Sequence, residues 1–127
     1  MLTSITHVTM FVNDQDATVD FYKKLGLVVH TDAHFEGMRW LTLCFPERKD
    51  FELVIMKART DAEKALVGKQ GGDVPFLNFE SNDCKKDYEL LKAQGVHFLS
   101  EPENQPWGIS MSLVDNSGNN IYVCQPV

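Results

Sequence analysis

Glu52 is the residue whose type and setting most directly suggest chemistry, because it lies inside the apolar run DFELVIM at residues 50–56. Burying an unpaired carboxylate costs several kcal/mol of free energy or forces its protonation. The two-residue period of a β-strand puts Val54 and Met56 on the same face as Glu52. A carboxylate in such surroundings is a candidate general base or polar anchor. We therefore expect Glu52 to lie in a partly buried site rather than in open water.

The amino-acid composition and net charge limit the kinds of molecule that this protein is expected to bind. The chain has 127 residues, 43% hydrophobic and 24% charged, which fits one globular domain. A formal net charge of −6 with no cluster of Lys or Arg argues against nucleic acid or an anionic membrane as the main partner. We expect a small-molecule ligand or substrate, or another protein.

Cysteine usage and the N-terminus predict a cytoplasmic protein. Cys44, Cys84 and Cys124 are odd in number and show no CxxC spacing, which favours free thiols in a reducing compartment. The first residues lack a basic segment followed by an apolar one, and no apolar run approaches the length of about 18 residues that a transmembrane helix needs.

The pattern of elements repeats once. Residues 5–12 predict a strand, residues 17–26 an amphipathic helix that ends at a glycine, and residues 27–32, 39–45 and 51–57 three further strands. After a linker at 58–73, which includes a possible short helix in DAEKALV, the order begins again. The second set comprises a strand at 74–81, a helix from Cys84 to Gly95, and strands at 96–101, 109–115 and 120–125.

The two sets also align residue by residue. Residues 8–11 lie over 76–79, and residues 41–54 lie over 111–124 without a gap. We predict an α+β fold of two tandem βαβββ units, at about 1–57 and 74–127, in a single domain spanning 1–127. Each unit has a helix on one face of its sheet, so a cleft between the two sheets is the expected small-molecule site.

This organisation resembles the vicinal oxygen chelate superfamily, which includes glyoxalase I, bleomycin-resistance proteins and extradiol dioxygenases. In the first unit the resemblance rests on the strand-1 histidine and the helix motif FYKKLG, both in HVTMFVNDQDATVDFYKKLGL, and on the ELV strand. In the second unit it rests on the DNSGN turn in SLVDNSGNNIYVCQP. It covers nearly the whole chain. It implies the fold just predicted. It also implies a homodimer, with the exchange of units between chains left open.

For members that use a divalent metal such as Zn, Ni, Mn or Fe, the resemblance implies ligands from the first and fourth strands of each unit. The alignment puts His7, Glu52, Pro75 and Tyr122 at these places. Proline has no side-chain donor and a phenol is a poor substitute for a carboxylate, whereas a catalytic metal normally takes three protein ligands. We therefore expect an incomplete metal set of His7 and Glu52 and no cofactor; the alternative is a working metal site completed by Tyr122, water or substrate.

The remaining site predictions concern aromatic and apolar residues. Trp40 and Trp107 are candidate flat walls for a planar ligand, and Met56, Phe79, Tyr122 and Cys124 share the predicted face. Each is also compatible with ordinary packing, and Cys124 is a candidate nucleophile only if a neighbour lowers its pKa. The three other histidines show no ligand spacing and are expected at surfaces or strand edges: His30, His34 and His97.

Three functions remain open on this sequence. The first is a metal-independent protein of the bleomycin-resistance type that binds a small apolar or aromatic molecule. The second is a glyoxalase-type lyase or isomerase, in which His7 and Glu52 are the remaining metal ligands or Glu52 is the general base. The third is a protein-interaction module. For His7 and Glu52, a buried hydrogen-bonded pair kept for packing is the alternative to any of these roles.

Overall fold

Each half of the chain folds as a βαβββ unit, which confirms the predicted repeat. The structure, a computed structural model, describes all residues from 1 to 127 and divides into the units Met1–Val67 and Gly68–Val127. The first unit contains β1 (His7–Val12), α1 (Gln15–Lys24), β2 (Val28–Phe35), β3 (Met38–Phe45), β4 (Arg48–Lys57) and α2 (Asp61–Leu66). The second contains β5 (Leu77–Glu80), α3 (Cys84–Ala93), β6 (His97–Gln105), β7 (Gly108–Val114) and β8 (Asn120–Pro126).

The helices follow from local sequence signals. Asp14 caps α1 by accepting a hydrogen bond from the backbone N–H of Ala17, and Asp83 caps α3 in the same way through Lys86. The short helix predicted in the linker is α2, which belongs to the first unit. The longest helices have ten residues each, and no helix is long and apolar enough to cross a membrane.

The first sheet has the strand order β1-β4-β3-β2, with β1 parallel to β4. Helix α1 lies on the face that carries Met10, since the Tyr22 hydroxyl donates a hydrogen bond to the Met10 Sδ over 3.8 Å and both side chains are fully buried. His7 is three residues from Met10 and pairs with Glu52, so both of these side chains lie on the opposite face. The predicted site face is therefore the face away from α1.

The second sheet repeats the order as β5-β8-β7-β6. Helix α3 lies on the face that carries Phe98, because the rings of Tyr88 and Phe98 pack edge to face with centroids 4.7 Å apart. The register runs from Phe98 through Leu113 and Ile121 to Leu77, which places this whole row under α3. Tyr122 and its alternate neighbours on β8 therefore lie on the face away from α3.

A β-bulge interrupts the second strand of each unit at the same place. In β2, Val29 pairs with Leu43 and Thr31 pairs with Thr42, so His30 is an extra residue with no partner position on β3. In β6, Phe98 pairs with Leu113 and Ser100 with Ser112, which makes Leu99 the corresponding extra residue. A bulge turns its extra side chain away from strict alternation. The first unit thus gains a histidine, and the second a leucine, at equivalent positions.

The connection between the third and fourth strands differs in length between the units. The chain advances ten positions from Leu43 to its partner Leu53, but only eight from Leu113 to its partner Ile121. The shorter connection is closed by Asp115, whose carboxylate accepts hydrogen bonds from the backbone N–H groups of Ser117 and Asn119, both at 2.9 Å. Because the longer connection adds two residues, an alignment without a gap cannot hold across it.

Arg39 on β3 ties the first sheet to α1. Its guanidinium binds Asp32 on β2 through two bonds of 2.9 Å and Asp16 on α1 through one of 2.8 Å. The hydrogen bonds from Arg39 hold the pKa of Asp32 below its ordinary value of 3.8. The same bonds raise the pKa of Arg39, so the guanidinium stays charged at all relevant pH values.

We expect Arg39→Gln to lower the free energy of unfolding at neutral pH. We also expect this free energy to decrease less steeply in the variant than in the wild type as the pH falls. A carboxyl with a lowered folded-state pKa stabilises the protein above its ordinary pKa, and this contribution is lost as pH falls below 3.8 through the folded-state value. Urea unfolding from pH 7 to pH 2.5 measures the difference from the wild type. Arg48→Gln is the matched control, since Arg48 lies 3.6 Å from Asp50 and both are about three-quarters exposed. Parallel curves for Arg39→Gln and the wild type would contradict this prediction.

Candidate functional site

Glu52 is surrounded by hydrogen-bond donors, which answers the question of how an apolar strand accommodates it. His7 Nε2 lies 3.0 Å from Glu52 Oε2, and His30 Nδ1 lies 3.0 Å from Glu52 Oε1. The Thr42 hydroxyl donates to Oε1 over 2.7 Å. The Glu52 side chain is 14% exposed, so this carboxylate is largely buried but not unpaired. We call these four residues the Glu52 cluster: His7, His30, Thr42 and Glu52.

Every strand of the first sheet contributes one member of the Glu52 cluster. His7 opens β1 directly opposite Glu52 on β4, and Thr42 on β3 pairs with Val54, the next residue on the same face of β4. His30 comes from β2, the far edge strand, where the bulge turns it to the side of its neighbour Thr31. Neighbouring strands lie roughly 4.8 Å apart, and β4 is one strand from β1 but two strands from β2. The contact between Glu52 and His30 therefore bridges across β3.

His30 and Thr42 are the members of the Glu52 cluster that the sequence did not predict as site residues, and His30 is the more informative of the two. It was expected at a surface or strand edge, and it does lie on the edge strand, but its imidazole contacts Glu52. Strict alternation along β2 does not place both His30 and Thr31 on the site face; the bulge does. The run LVVHTD contains no glycine or proline that would mark a bulge, so the sequence carries no local signal for it.

Two other predicted residues of the first unit lie on the same face. The Trp40 ring lies 6.0 Å from the His7 ring, centroid to centroid, at an angle of 53°. Met56 is on the Glu52 face of β4 and lines a cavity of about 160 Å³ together with Gln15, His34, Met38 and Arg39. The Glu52 cluster therefore has an aromatic neighbour in Trp40, whereas Met56 lies further along the strand.

In the second unit the structure brings together Trp107 and Tyr122. The Trp107 indole N–H donates a hydrogen bond to the Tyr122 hydroxyl over 2.9 Å, and Trp107 is 54% exposed. Cys124 lies on the same face, two residues beyond Tyr122, and is partly exposed. Cys44 and Cys84 are buried, and burial, followed by the charge of Asp87, raises the pKa of the Cys84 thiol.

The prediction that Pro75 and Tyr122 occupy the places of His7 and Glu52 is wrong. The register puts Asn78 opposite Tyr122, and Pro75 precedes β5 without a strand partner. Counted from the equivalent residues Leu43 and Leu113, the position of Glu52 is taken by Asn120, which pairs with Val114. The cause is the connection that is two residues shorter in the second unit. The counterparts of the Glu52 cluster are therefore Phe76, Leu99, Ser112 and Asn120.

Phe79 also lies on the face opposite to the one predicted. It pairs with Val123, which alternates with Tyr122 along β8 and lies in the α3 face. The predicted alignment of 8–11 with 76–79 was out of step by one residue, and a slip of one residue moves every side chain to the other face. Phe79 therefore belongs with the apolar packing under α3 and not with the site face.

The residues of the second unit that correspond to the Glu52 cluster explain why one buried oxygen, Oδ1 of Asn120, lacks a hydrogen bond. The Asn120 Oδ1 atom is buried and has no hydrogen-bond partner. Where Glu52 meets two imidazoles, Asn120 has Phe76 and Leu99 at the equivalent positions, and neither side chain can donate a hydrogen bond. The duplication therefore preserved the sheet but not the polar cluster.

The second unit does not supply the side chains that the resemblance implies for a divalent metal. No group of three or more His, Cys, Asp or Glu side chains is arranged to hold a metal ion. The second unit offers Phe76 and Asn120 at the remaining places, and the hydroxyl of Tyr122 is bonded to Trp107.

Comparison with known proteins agrees with this fold. The sequence model of the Glyoxalase/Bleomycin resistance protein/Dioxygenase superfamily matches residues 4–123. YurT of Bacillus subtilis, an uncharacterized protein, is 32% identical over 124 residues, which cover 95% of this chain and 98% of YurT. A protein of Shewanella frigidimarina is 29% identical over 94% of this chain and 90% of its own length.

Solved structures show the same relationship. The crystal structure of UcmS2 is 28% identical, with a TM-score of 0.85 over 98% of each chain. TnmS3 from Streptomyces sp. CB03234, described as an antibiotic binding protein, is 25% identical, with a TM-score of 0.80 over 99% of this chain and 98% of its own. With the family match spanning nearly all residues, the chain belongs to the Glyoxalase/Bleomycin resistance protein/Dioxygenase superfamily.

Proposed function

We propose that this protein binds a small aromatic or otherwise planar apolar molecule on the site face of its first unit, without a bound metal. The observation that carries the proposal is the Glu52 cluster beside Trp40. A carboxylate that is 14% exposed, with two imidazoles each about one-third exposed, forms a polar anchor next to a flat apolar ring. Ligand sites commonly combine apolar walls with a few precisely placed polar groups.

The free-energy cost of burying the Glu52 carboxylate supports a functional role for the Glu52 cluster. Desolvating a carboxylate is expensive, and well-packed apolar residues at such a place are often as stable or more so. The second unit illustrates this alternative, since the same sheet is built there with Phe76 and Leu99 in place of the imidazoles. The first unit thus retains a polar group that the fold itself does not require.

The family relationship supports the class of ligand. TnmS3, which this chain matches along nearly its whole length, is described as an antibiotic binding protein. Many antibiotics contain fused or planar rings, for which Trp40 is a suitable contact surface. Trp107 and Tyr122 form a second, partly exposed aromatic pair in the other unit, and we propose both, together with Cys124, as ligand contacts there.

Tryptophan fluorescence tests this proposal directly, because the chain has only two tryptophans. In Trp107→Phe the remaining signal reports on Trp40, and in Trp40→Phe it reports on Trp107. We expect polycyclic aromatic compounds to quench the Trp40 signal and to raise the melting temperature, whereas aliphatic compounds of equal size do neither. If no compound in a broad aromatic panel changes fluorescence or melting temperature, the proposal is wrong.

The alternative is a metal-assisted glyoxalase-type lyase or isomerase that uses His7 and Glu52. It requires further ligands, and the register gives Phe76 and Asn120 at the places where they would come from. Metal analysis of the untagged protein and of His7→Ala and Glu52→Gln separates the two functions. Stoichiometric Zn, Ni, Mn or Fe in the wild type that is lost in both variants would favour the enzyme.

A homodimer and a cytoplasmic location remain predictions for this protein. The net charge of −6 still argues against nucleic acid as a partner. Light scattering coupled to size-exclusion chromatography measures the oligomeric state, with a mass of twice 14.4 kDa expected for the dimer.

A further inference from the structure

We infer that His30, rather than Glu52, presents the basic atom that the bound molecule meets, and that this atom accepts a hydrogen bond from an acidic O–H group such as a phenol or enol. The inference deepens the proposed function and rests on it, because it names the class of ligand. Glu52 is then a positioning residue that acts through His30.

The first step concerns the carboxylate, whose oxygens are already occupied. Oε2 faces His7 Nε2 at 3.0 Å, and Oε1 faces both His30 Nδ1 at 3.0 Å and the Thr42 hydroxyl at 2.7 Å. Thr42 is fully buried and the Glu52 side chain is 14% exposed, whereas 33% of the His30 side chain is exposed. A ligand in solvent therefore reaches the imidazole more readily than the carboxylate.

The second step concerns the tautomer of His30. An ionised carboxylate only accepts hydrogen bonds, so the nitrogen that faces Glu52 must carry the proton. For His30 this nitrogen is Nδ1, which also lies 2.8 Å from the hydroxyl oxygen of Thr31. A hydroxyl oxygen can accept from the same N–H, whereas the carboxylate cannot donate, so the lone pair of the neutral ring is on Nε2. Nε2 of His30 has no partner in the chain.

His7 faces the same carboxylate with the opposite nitrogen. Its Nε2 points to Glu52, and its Nδ1 lies 2.7 Å from the hydroxyl of Thr6, which can donate to it. Both nitrogens of His7 are therefore satisfied inside the protein. Of the two imidazoles in the Glu52 cluster, only His30 offers an accessible acceptor to a ligand.

The third step concerns what this arrangement can do. A carboxylate bonded to Nδ1–H fixes the tautomer and the orientation of the ring. With a phenol or enol, the ligand O–H donates to Nε2.

The bulge in β2 is what gives the first unit this group. The equivalent bulge in β6 carries Leu99, which has no polar atom in its side chain. Bulges frequently occur next to functional sites, where they redirect one side chain. The pairing of a bulge histidine with Glu52 is therefore specific to one half of the repeat.

Matched variants separate the two imidazoles. His30→Asn keeps an N–H near the position of Nδ1 but removes the Nε2 acceptor, and His7→Gln keeps an N–H near the position of Nε2. The probes are 2-naphthol and its methyl ether, which differ in the O–H donor. By calorimetry we expect the wild type to bind 2-naphthol about three- to tenfold more tightly than the ether, as one hydrogen bond supplies. His30→Asn loses this preference, and His7→Gln retains it.

The tautomer is measured without any ligand. Long-range ¹H–¹⁵N correlation spectra of the ¹⁵N-histidine-labelled protein at pH 8 should show the Nδ1–H tautomer for His30 and the Nε2–H tautomer for His7. An Nε2–H tautomer at His30 would overturn the inference whatever binds. Equal affinity for both probes in the wild type would overturn it while leaving the proposed function intact. If neither probe binds, the proposed function fails for this class of ligand and the inference fails with it.

Discussion

Glu52→Gln is expected to weaken the binding of a ligand at the Glu52 cluster at least about tenfold while the protein remains folded. The carboxylate accepts from three donors, but an amide has one oxygen and one NH₂ group, so at least one imidazole or the Thr42 hydroxyl faces a donor instead of an acceptor. A neutral amide holds the His30 ring less strongly than a carboxylate, so the ring no longer presents its acceptor in a fixed orientation, and a loss of about 1.4 kcal/mol in binding free energy corresponds to a factor of ten. Calorimetry with a compound identified by the fluorescence assay measures the affinity.

Glu47→Gln is the matched control for this change. Glu47 lies in the exposed turn between β3 and β4 of the same unit, and its replacement removes the same charge without touching the site. We expect wild-type affinity in this variant. Equal affinity in the wild type, Glu47→Gln and Glu52→Gln would mean that the Glu52 cluster only supports packing, which was the alternative considered from the sequence.

Gly108→Ala is expected to lower the free energy of unfolding by about 2–4 kcal/mol. Gly108 opens β7 with φ of +148°, a conformation that residues with a side chain rarely adopt, and an added Cβ would meet the backbone carbonyl of Gln125 on β8. Backbone strain and overpacking each cost about 1–3 kcal/mol. The denaturant midpoint should fall without a change in the slope of unfolding.

Gly72→Ala separates the two causes of this loss. Gly72 has φ of +65°, but an added Cβ would have no atom within 4 Å. We therefore expect only the conformational cost, about 1 kcal/mol. Similar losses in the two variants would contradict the proposed close contact between β7 and β8. Because Trp107 directly precedes Gly108, the fluorescence of Trp107 should also change in Gly108→Ala and not in Gly72→Ala.

The βαβββ repeat could be predicted from the sequence because it depends on local signals. Alternating apolar residues, capping aspartates and glycines after the helices marked the elements, and the structure changes their bounds by only a few residues. The pairing of His7 with Glu52 also followed, since the first and fourth strands of the unit are neighbours in the sheet. These features are set by periodicity and by strand order.

The errors all concern register, which periodicity does not determine. His30 was missed because a bulge without glycine or proline changes the face of one residue. Tyr122 was assigned to the position of Glu52, which Asn120 occupies, because two residues between Leu43 and Leu53 have no counterpart in the second unit. Phe79 was assigned to the wrong face because β5 has only four residues, too few for the sequence pattern to determine its register.

These corrections change the interpretation of the site. The sequence predicted an incomplete metal site, in which the first unit supplies His7 and Glu52 and the second unit has Pro75 and Tyr122 at the places of the other two ligands. In the structure the first unit completes its own hydrogen-bonded cluster, with His30 as an additional partner of Glu52. The polar anchor of the proposed binding site is therefore contained in one sheet of four strands.

The most direct test of metal-independent binding is the affinity of one aromatic ligand measured in a chelating buffer and again after addition of stoichiometric Zn, Ni, Mn or Fe. Both oxygens of Glu52 already face hydrogen-bond donors within the cluster, so we predict the same dissociation constant under all of these conditions. Loss of binding in the chelating buffer, restored by one equivalent of a metal, would contradict this account.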